Sequence, residues 1–156
     1  INDPALNIDA HCILVIRGAG PLGWPGSAEV VNMQPPDHLL KIGISSLPTL
    51  GDGRQSGTAD SPSILNASPE SAAGGGLSLL RTDDVIRIDI KNGSCDMLVD
   101  AEELRRRDKG TAKIPEANTP WEKIYRENVA QLEDGGILKS AQSFRATKNR
   151  LPRHNH

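Results

Sequence analysis

Hydrophobic residues in the first third of the chain come in short runs, and loops of small residues separate them. Residues 12–16 form a continuous apolar run rich in β-branched side chains, which predicts a strand buried on both faces. The glycine- and proline-rich segment 18–26 follows and cannot hold regular structure. A second strand is predicted over residues 46–50. Each of these strands therefore delivers the chain into a loop of small residues.

Two short helices are predicted between these strands. Ser27 is placed to cap a helix over residues 28–33. Asp37 follows two prolines and could cap a second helix over residues 38–42, which would end at Gly43.

The middle of the chain reads as a series of strands. Residues 77–81, 85–90 and 95–99 are short apolar or alternating segments, and turns rich in Asp, Asn and Gly join them. Within the second segment the isoleucines alternate with Arg87 and Asp89, which predicts one apolar and one wet face. This spacing predicts antiparallel hairpins.

Capping signals predict two helices in the last third. Asp100 with Glu103 three residues later is typical of a capping box, and the helix would carry the arginines 105–107 on a solvated face. Thr119 is followed by Pro120 at the first helical position and by Glu122 at the third. This pattern predicts a helix that runs to about residue 132.

The composition favours a fold with many loops and a small aliphatic core. The chain has 15 Gly and 11 Pro but only 2 Trp, 1 Tyr and 1 Phe. We expect an α+β fold that is mainly β, with a compact barrel-like domain and peripheral helices over residues 1–135 and an extended tail over residues 136–156. The strands do not resemble a βαβ succession, which needs a helix of about 10 to 15 residues between strands.

The charge and cysteine content exclude several classes of protein. A net charge of −2 argues against a nucleic-acid groove, which needs a basic face. No apolar run is long enough for a membrane span, and the start has no signal-peptide pattern. Cys12 and Cys95 have no metal-type spacing and read as small buried hydrophobes. We expect a cytoplasmic protein and, because the chain lacks an initiating Met, a fragment of a longer polypeptide.

The loop over residues 51–58 is the main candidate for chemistry. Its glycines permit a close approach of the backbone to a ligand, and it carries Arg54, Ser56 and Thr58. Glu29 occupies a comparable place after the first glycine loop. A carboxylate there could bind Mg²⁺, and a nearby serine could then act as a base. Equally, Glu29 could be a first-turn carboxylate that the helix dipole favours, and Ser56 an ordinary turn residue.

Two other catalytic patterns are not supported. Ser56 does not lie in a Gly-x-Ser-x-Gly elbow, and the few histidines suggest no Ser-His-Asp set. Gly18, Gly20 and Gly23 match a dinucleotide-binding fingerprint literally, but Pro21 and Pro25 prevent the helix that this fingerprint requires.

Four segments are similar to a set of ordered motifs. Residues 20–29 are similar to G-P-x-G-x-P-G-x-x-E, residues 52–57 to D-G-R-x-S-G, and residues 68–75 to S-P-E-A-A-x-G-G, while residues 100–107 resemble S-D-E-E-L-x-x-R. In this order and at this separation, the motifs resemble the C-terminal domain of the dihydroxy-acid and sugar-acid dehydratase family, which includes the 6-phosphogluconate dehydratases. Ser56-Gly57-Thr58 lacks the second glycine that the amino-acid-biosynthetic members usually carry, which indicates the sugar-acid branch. Residues 51–58, 61–70 and 152–156 look most like the xylonate dehydratases of that branch.

The resemblance implies dehydration of an aldonic acid to its 2-keto-3-deoxy acid. Carried over by motif, Ser56 would be the base that removes the C2 proton, Glu29 a Mg²⁺ ligand, and Thr58 a hydrogen-bonding neighbour of Ser56 or substrate. The family's iron–sulfur cluster, which we expect to be [2Fe–2S], and the other Mg²⁺ ligands would belong to an N-terminal domain that is absent here. This chain should therefore be inactive alone, with that domain, the sugar acid and copies of itself in a homodimer or homotetramer as partners, and without nucleic acid or membrane.

The residues leave three alternatives open. The chain could be a non-catalytic module that binds sugar acids or another small anion, with Arg54 as the anchor. It could belong to a dihydroxy-acid dehydratase of branched-chain amino-acid synthesis. It could also mainly build an oligomer interface through its tail, with His156 reaching a neighbouring site.

Overall fold

The computed structural model of the chain describes residues 1–24, 34–54, 61–107 and 113–144. Three strands form a parallel sheet in the order β1 (Leu14–Ile16), β2 (Thr49–Gly51) and β3 (Ser63–Ile64). In register, Leu14 pairs with Thr49 and Leu50 pairs with Ile64. All three strands therefore end at the same edge of the sheet.

The parallel pairing differs from the sequence-based expectation. β1 and β2 are joined by a connection that contains α1 (Asp37–Lys41), so the sheet does include a parallel crossover. Sequence pattern does not reveal this unit because the helix has five residues, fewer than a βαβ pattern requires. The α+β class is confirmed, but the described strands do not close into a barrel.

An antiparallel hairpin forms the second sheet, as predicted. It consists of β4 (Ile86–Asp89) and β5 (Ser94–Met97), with Ile86 paired to Met97 and Ile88 to Cys95. Asp89 accepts hydrogen bonds from the backbone and side chain of Asn92, which fixes the turn. These bonds also hold the pKa of Asp89 below its ordinary value.

The strand predicted over residues 77–81 is wrong. A 3₁₀ turn, Gly76–Ser78, occupies its start. The backbone carbonyls of Leu77 and Leu80 accept hydrogen bonds from the Arg17 guanidinium and not from a neighbouring strand. The Arg17 side chain, 60 positions before Leu77, thus supplies the hydrogen bonds that these carbonyl groups would otherwise receive from a neighbouring strand.

The helices predicted near residues 38–42 and after Asp100 are present with changed boundaries. Pro36 and not Asp37 occupies the N-cap of α1, and it provides no side-chain cap. Asp100 caps α2 (Ala101–Arg106) by accepting from the N–H groups of Glu102 and Glu103, as predicted. The helix predicted over residues 28–33 lies outside the described residues.

The last helix is shorter than predicted. α3 (Pro120–Asn128) begins after the Thr119 cap, which accepts from the Glu122 N–H at 3.2 Å. It ends before residue 132 because Val129 leaves the helix and forms an antiparallel bridge with Leu138. Val129 is buried, so the change of direction places an apolar side chain inside the fold.

One arginine of the predicted solvated face is buried. The Arg107 side chain is only 7% exposed, and its guanidinium makes two contacts with the Asp84 carboxylate, at 2.5 and 2.8 Å. This guanidinium holds the pKa of Asp84 below its ordinary value, and the carboxylate raises the pKa of Arg107. The pair joins α2 to the start of the hairpin, while Arg105 and Arg106 remain exposed as predicted.

The core is small and lies beside the parallel sheet. Leu14, Leu39 and Leu47 form its centre, with Ile8, Cys12 and Ile44 packed around it. Several large apolar side chains stay exposed, among them Trp121 of α3. Within the described ranges no helix has the length and apolar character needed to cross a bilayer.

Candidate active-site scaffold

The loops that carry the sequence motifs meet at the carboxyl-terminal edge of the parallel sheet. The glycine loop, defined here as residues 17–24, follows β1. The segment 52–54 follows β2, and residues 65–70 follow β3. The carboxyl edge of a parallel sheet is where α/β proteins commonly bind their ligands. Motifs that lie far apart in sequence thus come together at one edge.

Asp52 joins the loops through its carboxylate. The side chain is fully buried, and it accepts hydrogen bonds from the backbone N–H groups of Gly18 and Ala19, both at 3.0 Å, and of Ser71 at 2.7 Å. A buried carboxylate is costly unless such donors compensate its lost hydration. Asp52 therefore ties the end of β2 to the glycine loop and to the chain that follows Glu70.

Glu70 makes a second set of bonds to the same glycine loop. It is fully buried and accepts from the backbone N–H groups of Leu22 at 2.8 Å and Gly23 at 3.0 Å. Its Oε1 also accepts from Gln131 Nε2 at 2.9 Å, while its own N–H donates to Gln131 Oε1 at 3.0 Å. Both ends of the glycine loop are thus held by buried carboxylates from other segments.

Arg126 of α3 completes the set around Gly23. Its guanidinium is buried and donates to the Gly23 carbonyl oxygen and to the Pro115 carbonyl oxygen, both at 2.9 Å. Gly23 is therefore bound at its N–H by Glu70 and at its carbonyl by Arg126. Residue 24 is the last described residue before the segment that contains Glu29.

Glycines are required where these loops touch. A Cβ at Gly20 would overlap the Glu70 side chain, and a Cβ at Gly53 would lie 2.7 Å from the Ala19 Cβ. Real Cβ atoms essentially never come within 3.0 Å of such neighbours, so the chain segments meet at a distance that only glycine allows. The small residues of the motifs thus serve packing between loops.

The residues predicted to carry the chemistry are not themselves described. Glu29 falls in residues 25–33, Ser56 and Thr58 in residues 55–60, and His156 in residues 145–156, all outside the described residues. The structure does place the flanks of these segments. Arg54 is exposed immediately before the Ser56 segment, and Ser63 of β3, shortly after it, accepts a hydrogen bond from Thr49 Oγ1 at 2.8 Å.

The described residues do not form a metal centre by themselves. No group of three or more His, Cys, Asp or Glu side chains that could hold a metal ion occurs in residues 1–24, 34–54, 61–107 and 113–144. Asp52 and Glu70 direct their carboxylate oxygens at backbone N–H groups, so they do not fit a Mg²⁺ ligand set.

The two cysteines differ from the sequence-based prediction. Cys12 is half-buried and lies before β1, where its thiol donates to the Asp9 carboxylate at 3.4 Å. Cys95 lies in β5, as predicted, but it is exposed. Partial burial and the neighbouring Asp96 raise the pKa of its thiol. The prediction of a buried hydrophobe is therefore wrong for Cys95, while Cys12 packs against the core but is only half-buried.

Sequence reasoning assigns no role to Asp52, Glu70, Gln131 or Arg126. The first two lie inside quoted motifs, where a carboxylate among small residues is the available signal. Gln131 and Arg126 carry no local signal, because their partners are 61 and 103 residues away. Only the tertiary structure brings them to the glycine loop.

Comparison with known proteins extends these findings. The family model described as dihydroxy-acid/6-phosphogluconate dehydratase, C-terminal, matches residues 1–136. The chain is 68% identical to a D-xylonate dehydratase from Caulobacter vibrioides, over all of this chain and 26% of that protein.

More distant relatives carry related names. The chain is 35% identical to an L-arabonate dehydratase from Azospirillum brasilense, over all of this chain and 28% of that protein. It is 39% identical to a dihydroxy-acid dehydratase from Pyrococcus furiosus, over 85% of this chain and 24% of that protein. The chain thus spans about a quarter of the length of these relatives.

Proposed function

Because this chain belongs to the dihydroxy-acid/6-phosphogluconate dehydratase family, whose C-terminal domain it matches, we propose that it is the C-terminal part of a sugar-acid dehydratase. The 68% identity to a D-xylonate dehydratase is the observation that carries this proposal. The identities to the L-arabonate and dihydroxy-acid dehydratases are much lower, and D-xylonate is therefore the substrate that we propose.

The proposed reaction removes water from an aldonic acid. Ser56, as its alkoxide, accepts the proton from C2, and the electrons of that C–H bond form the double bond between C2 and C3 as the C3 hydroxyl leaves. The proton taken up by Ser56 passes to the departing hydroxide, so that water is released and the alkoxide is restored. The resulting enol takes up a proton at C3 and becomes the 2-keto-3-deoxy acid. Thr58 donates a hydrogen bond to Ser56 or to substrate, which holds the base in place.

The chemistry beyond proton transfer needs groups that we place mainly outside this chain. A bound Mg²⁺ and an iron–sulfur cluster, proposed to be [2Fe–2S], would supply electrostatic stabilisation of the negative charge and Lewis acidity toward the leaving hydroxyl. We propose Glu29 as the one Mg²⁺ ligand of this chain. The other ligands and the cluster would come from an N-terminal domain of the same polypeptide, so the chain alone would be inactive. We further propose a cytoplasmic homodimer or homotetramer.

The supporting geometry lies in the residues that precede the two segments carrying Glu29 and Ser56. Glu70 and Arg126 hold Gly23, shortly before the segment that carries Glu29, and the chain toward Ser56 begins at the buried Asp52. A base and a metal ligand must be held at a fixed separation to act on one substrate, and the bonds that fix the chain before each of these two segments support that requirement.

A substrate panel tests the proposal. The full-length enzyme, reconstituted with iron, sulfide and Mg²⁺, is offered D-xylonate, L-arabonate and 2,3-dihydroxyisovalerate, and the 2-keto acid products are measured. The expected result is the highest kcat/KM with D-xylonate. Preference for the branched-chain dihydroxy acid would overturn the sugar-acid assignment.

The Ser56→Ala variant tests the base. Loss of a general base typically lowers the rate by about 10²- to 10⁴-fold. Turnover of the variant should therefore fall by at least about 10²-fold, while substrate still binds. Turnover within about tenfold of wild type would remove this role from Ser56. Ser45→Ala, at an exposed serine of the same chain, is the control and should leave turnover unchanged.

The non-catalytic alternative is tested with the isolated chain. If the chain were a binding module, calorimetric titration with aldonic acids in the absence of metal would show affinity, and Arg54→Ala would abolish it. We expect no measurable affinity, because half of the site would be absent.

A further inference from the structure

We propose that Asp52 is a positioning residue for the Ser56 loop, the connection between β2 and β3 over residues 52–62. Asp52 acts by fixing the end of β2 against the glycine loop. This inference rests on the proposed function, because it takes Ser56 as the base. Asp52 does not touch substrate in this account. Its carboxylate fixes the position at which the chain leaves β2 and enters the Ser56 loop.

The first support is the extent to which Asp52 is bound. Its fully buried carboxylate accepts three backbone N–H groups that belong to two segments, those of Gly18, Ala19 and Ser71. A carboxylate that accepts several backbone N–H groups in a buried site is held strongly, because hydrogen bonds to ionised groups are about twice as strong as neutral ones. Asp52 is therefore a fixed point at the edge of the sheet.

The second support is the short path from Asp52 to Ser56. Ser56 lies four positions further along the chain, so it can be at most about 14 Å from this fixed point. The intervening Gly53 lies against Ala19, and its carbonyl oxygen accepts from the Asn66 N–H at 3.0 Å. The backbone from residue 52 to residue 54 therefore has little freedom before it enters the segment that carries Ser56.

The third support is that the far end of the same loop is also tied to β2. The Thr49 N–H donates to the Pro62 carbonyl oxygen at 2.9 Å, and the Ala67 N–H donates to the Gly51 carbonyl oxygen at 3.0 Å. Residue 62, after the segment that carries Ser56, is thus held through β2 and β3. Asp52 holds the chain before that segment.

Asp52→Asn in the full-length enzyme tests the proposal. The amide keeps the size of the side chain, but it replaces one acceptor oxygen with a donor that faces backbone N–H groups. Because a displacement of about 1 Å can cost about 10²-fold in rate, we expect kcat to fall by about 10- to 100-fold, with KM changed by less than about threefold. Iron and Mg²⁺ contents, measured by elemental analysis, should equal those of wild type.

Hydrogen exchange supplies a readout besides activity. The amides of Gly18, Ala19 and Ser71 should exchange faster in Asp52→Asn, while those of Leu22 and Gly23, which bind Glu70, serve as internal controls. Asp84→Asn is the matched control, because it changes a buried carboxylate that is held by Arg107. It should leave kcat unchanged.

A second pair of variants decides the matter if Asp52→Asn does not fold. Gly53→Ala would push the base loop away from Ala19, and adding Ala19→Gly should recover part of the lost kcat by removing the Cβ that lies 2.7 Å away. Recovery supports the proposal, and its absence overturns it.

The outcomes separate this inference from the proposed function. If Ser56→Ala is inactive and folded Asp52→Asn keeps kcat within about threefold of wild type, the positioning role is wrong and the dehydratase proposal stands. If Ser56→Ala retains full turnover, the base assignment fails first.

Discussion

Glu70 and Gln131 bind each other through two hydrogen bonds that run in opposite directions, although 61 residues separate them. Gln131 Nε2 donates to the Glu70 carboxylate at 2.9 Å, and the Glu70 backbone N–H donates to Gln131 Oε1 at 3.0 Å. The same carboxylate holds the backbone of Leu22 and Gly23. The segment after α3 thus supports the glycine loop through a single buried glutamate.

Gln131→Ala should therefore loosen the glycine loop. The substitution leaves the Glu70 N–H without this acceptor and removes a donor from the carboxylate, which costs about 1–3 kcal/mol for a buried group. We expect faster hydrogen exchange at Glu70, Leu22 and Gly23 and a lower unfolding temperature. Gln142→Ala, at a half-buried glutamine with a long 3.5 Å contact, is the control, and equal effects of the two variants would contradict the role given to Gln131.

Two adjacent glycines offer a test of packing beside Glu70. A Cβ at Gly75 would overlap the Pro69 carbonyl group, whereas a Cβ at Gly76 would meet nothing within 4 Å. Gly75→Ala should lower the free energy of unfolding by at least about 1–3 kcal/mol, because the atoms that the new methyl group would meet belong to the backbone and cannot easily move aside. Gly76→Ala should have a much smaller effect. Thermal unfolding of both variants decides, and similar losses would refute the close approach.

The ion pair between Arg107 and Asp84 predicts a dependence of stability on pH. The guanidinium lowers the folded-state pKa of Asp84 below its ordinary value of 3.8. A group with a lowered folded-state pKa stabilises the fold fully above its unfolded-state pKa, and this contribution is lost as the pH falls through the folded-state value.

Asp84→Asn should thus lower the unfolding temperature at pH 7, and the difference from wild type should shrink as the pH falls below about 4. Thermal unfolding between about pH 3 and pH 7 measures it. Asp96→Asn is the control, because the pair of Asp96 with Arg87 is much more exposed. A difference that stays constant down to the lowest pH would show that the ion pair is not its source.

Glu29→Gln tests the proposed Mg²⁺ ligand in the full-length enzyme. Loss of a ligand should weaken Mg²⁺ binding by at least about tenfold, since changes to outer groups alone often cost that much. Equilibrium dialysis with Mg²⁺ gives the affinity independently of turnover. Glu116→Gln, at an exposed glutamate, is the control. An unchanged affinity would remove Glu29 from the ligand set.

Elements whose cause is local could be predicted from the residues that form them. The predictions of the caps at Asp100 and Thr119 and of the β4–β5 hairpin are confirmed, because each depends on a few neighbouring residues. The family resemblance is likewise readable from ordered motifs, and the family match over residues 1–136 confirms it. The roles of Glu29, Ser56 and Thr58 remain predictions.

Contacts between residues far apart in sequence are seen only in the folded chain. The parallel pairing of β1 with β2 does not follow from the sequence pattern, and neither does the end of α3 at Asn128, where Val129 turns to pair with Leu138. Periodicity does not report such partners. The hydrogen bonds of the buried Asp52, Glu70 and Arg126 side chains to the glycine loop could not be predicted either. A buried polar group needs a hydrogen-bond partner, but that partner is set by the folded arrangement and not by the neighbouring residues in the sequence.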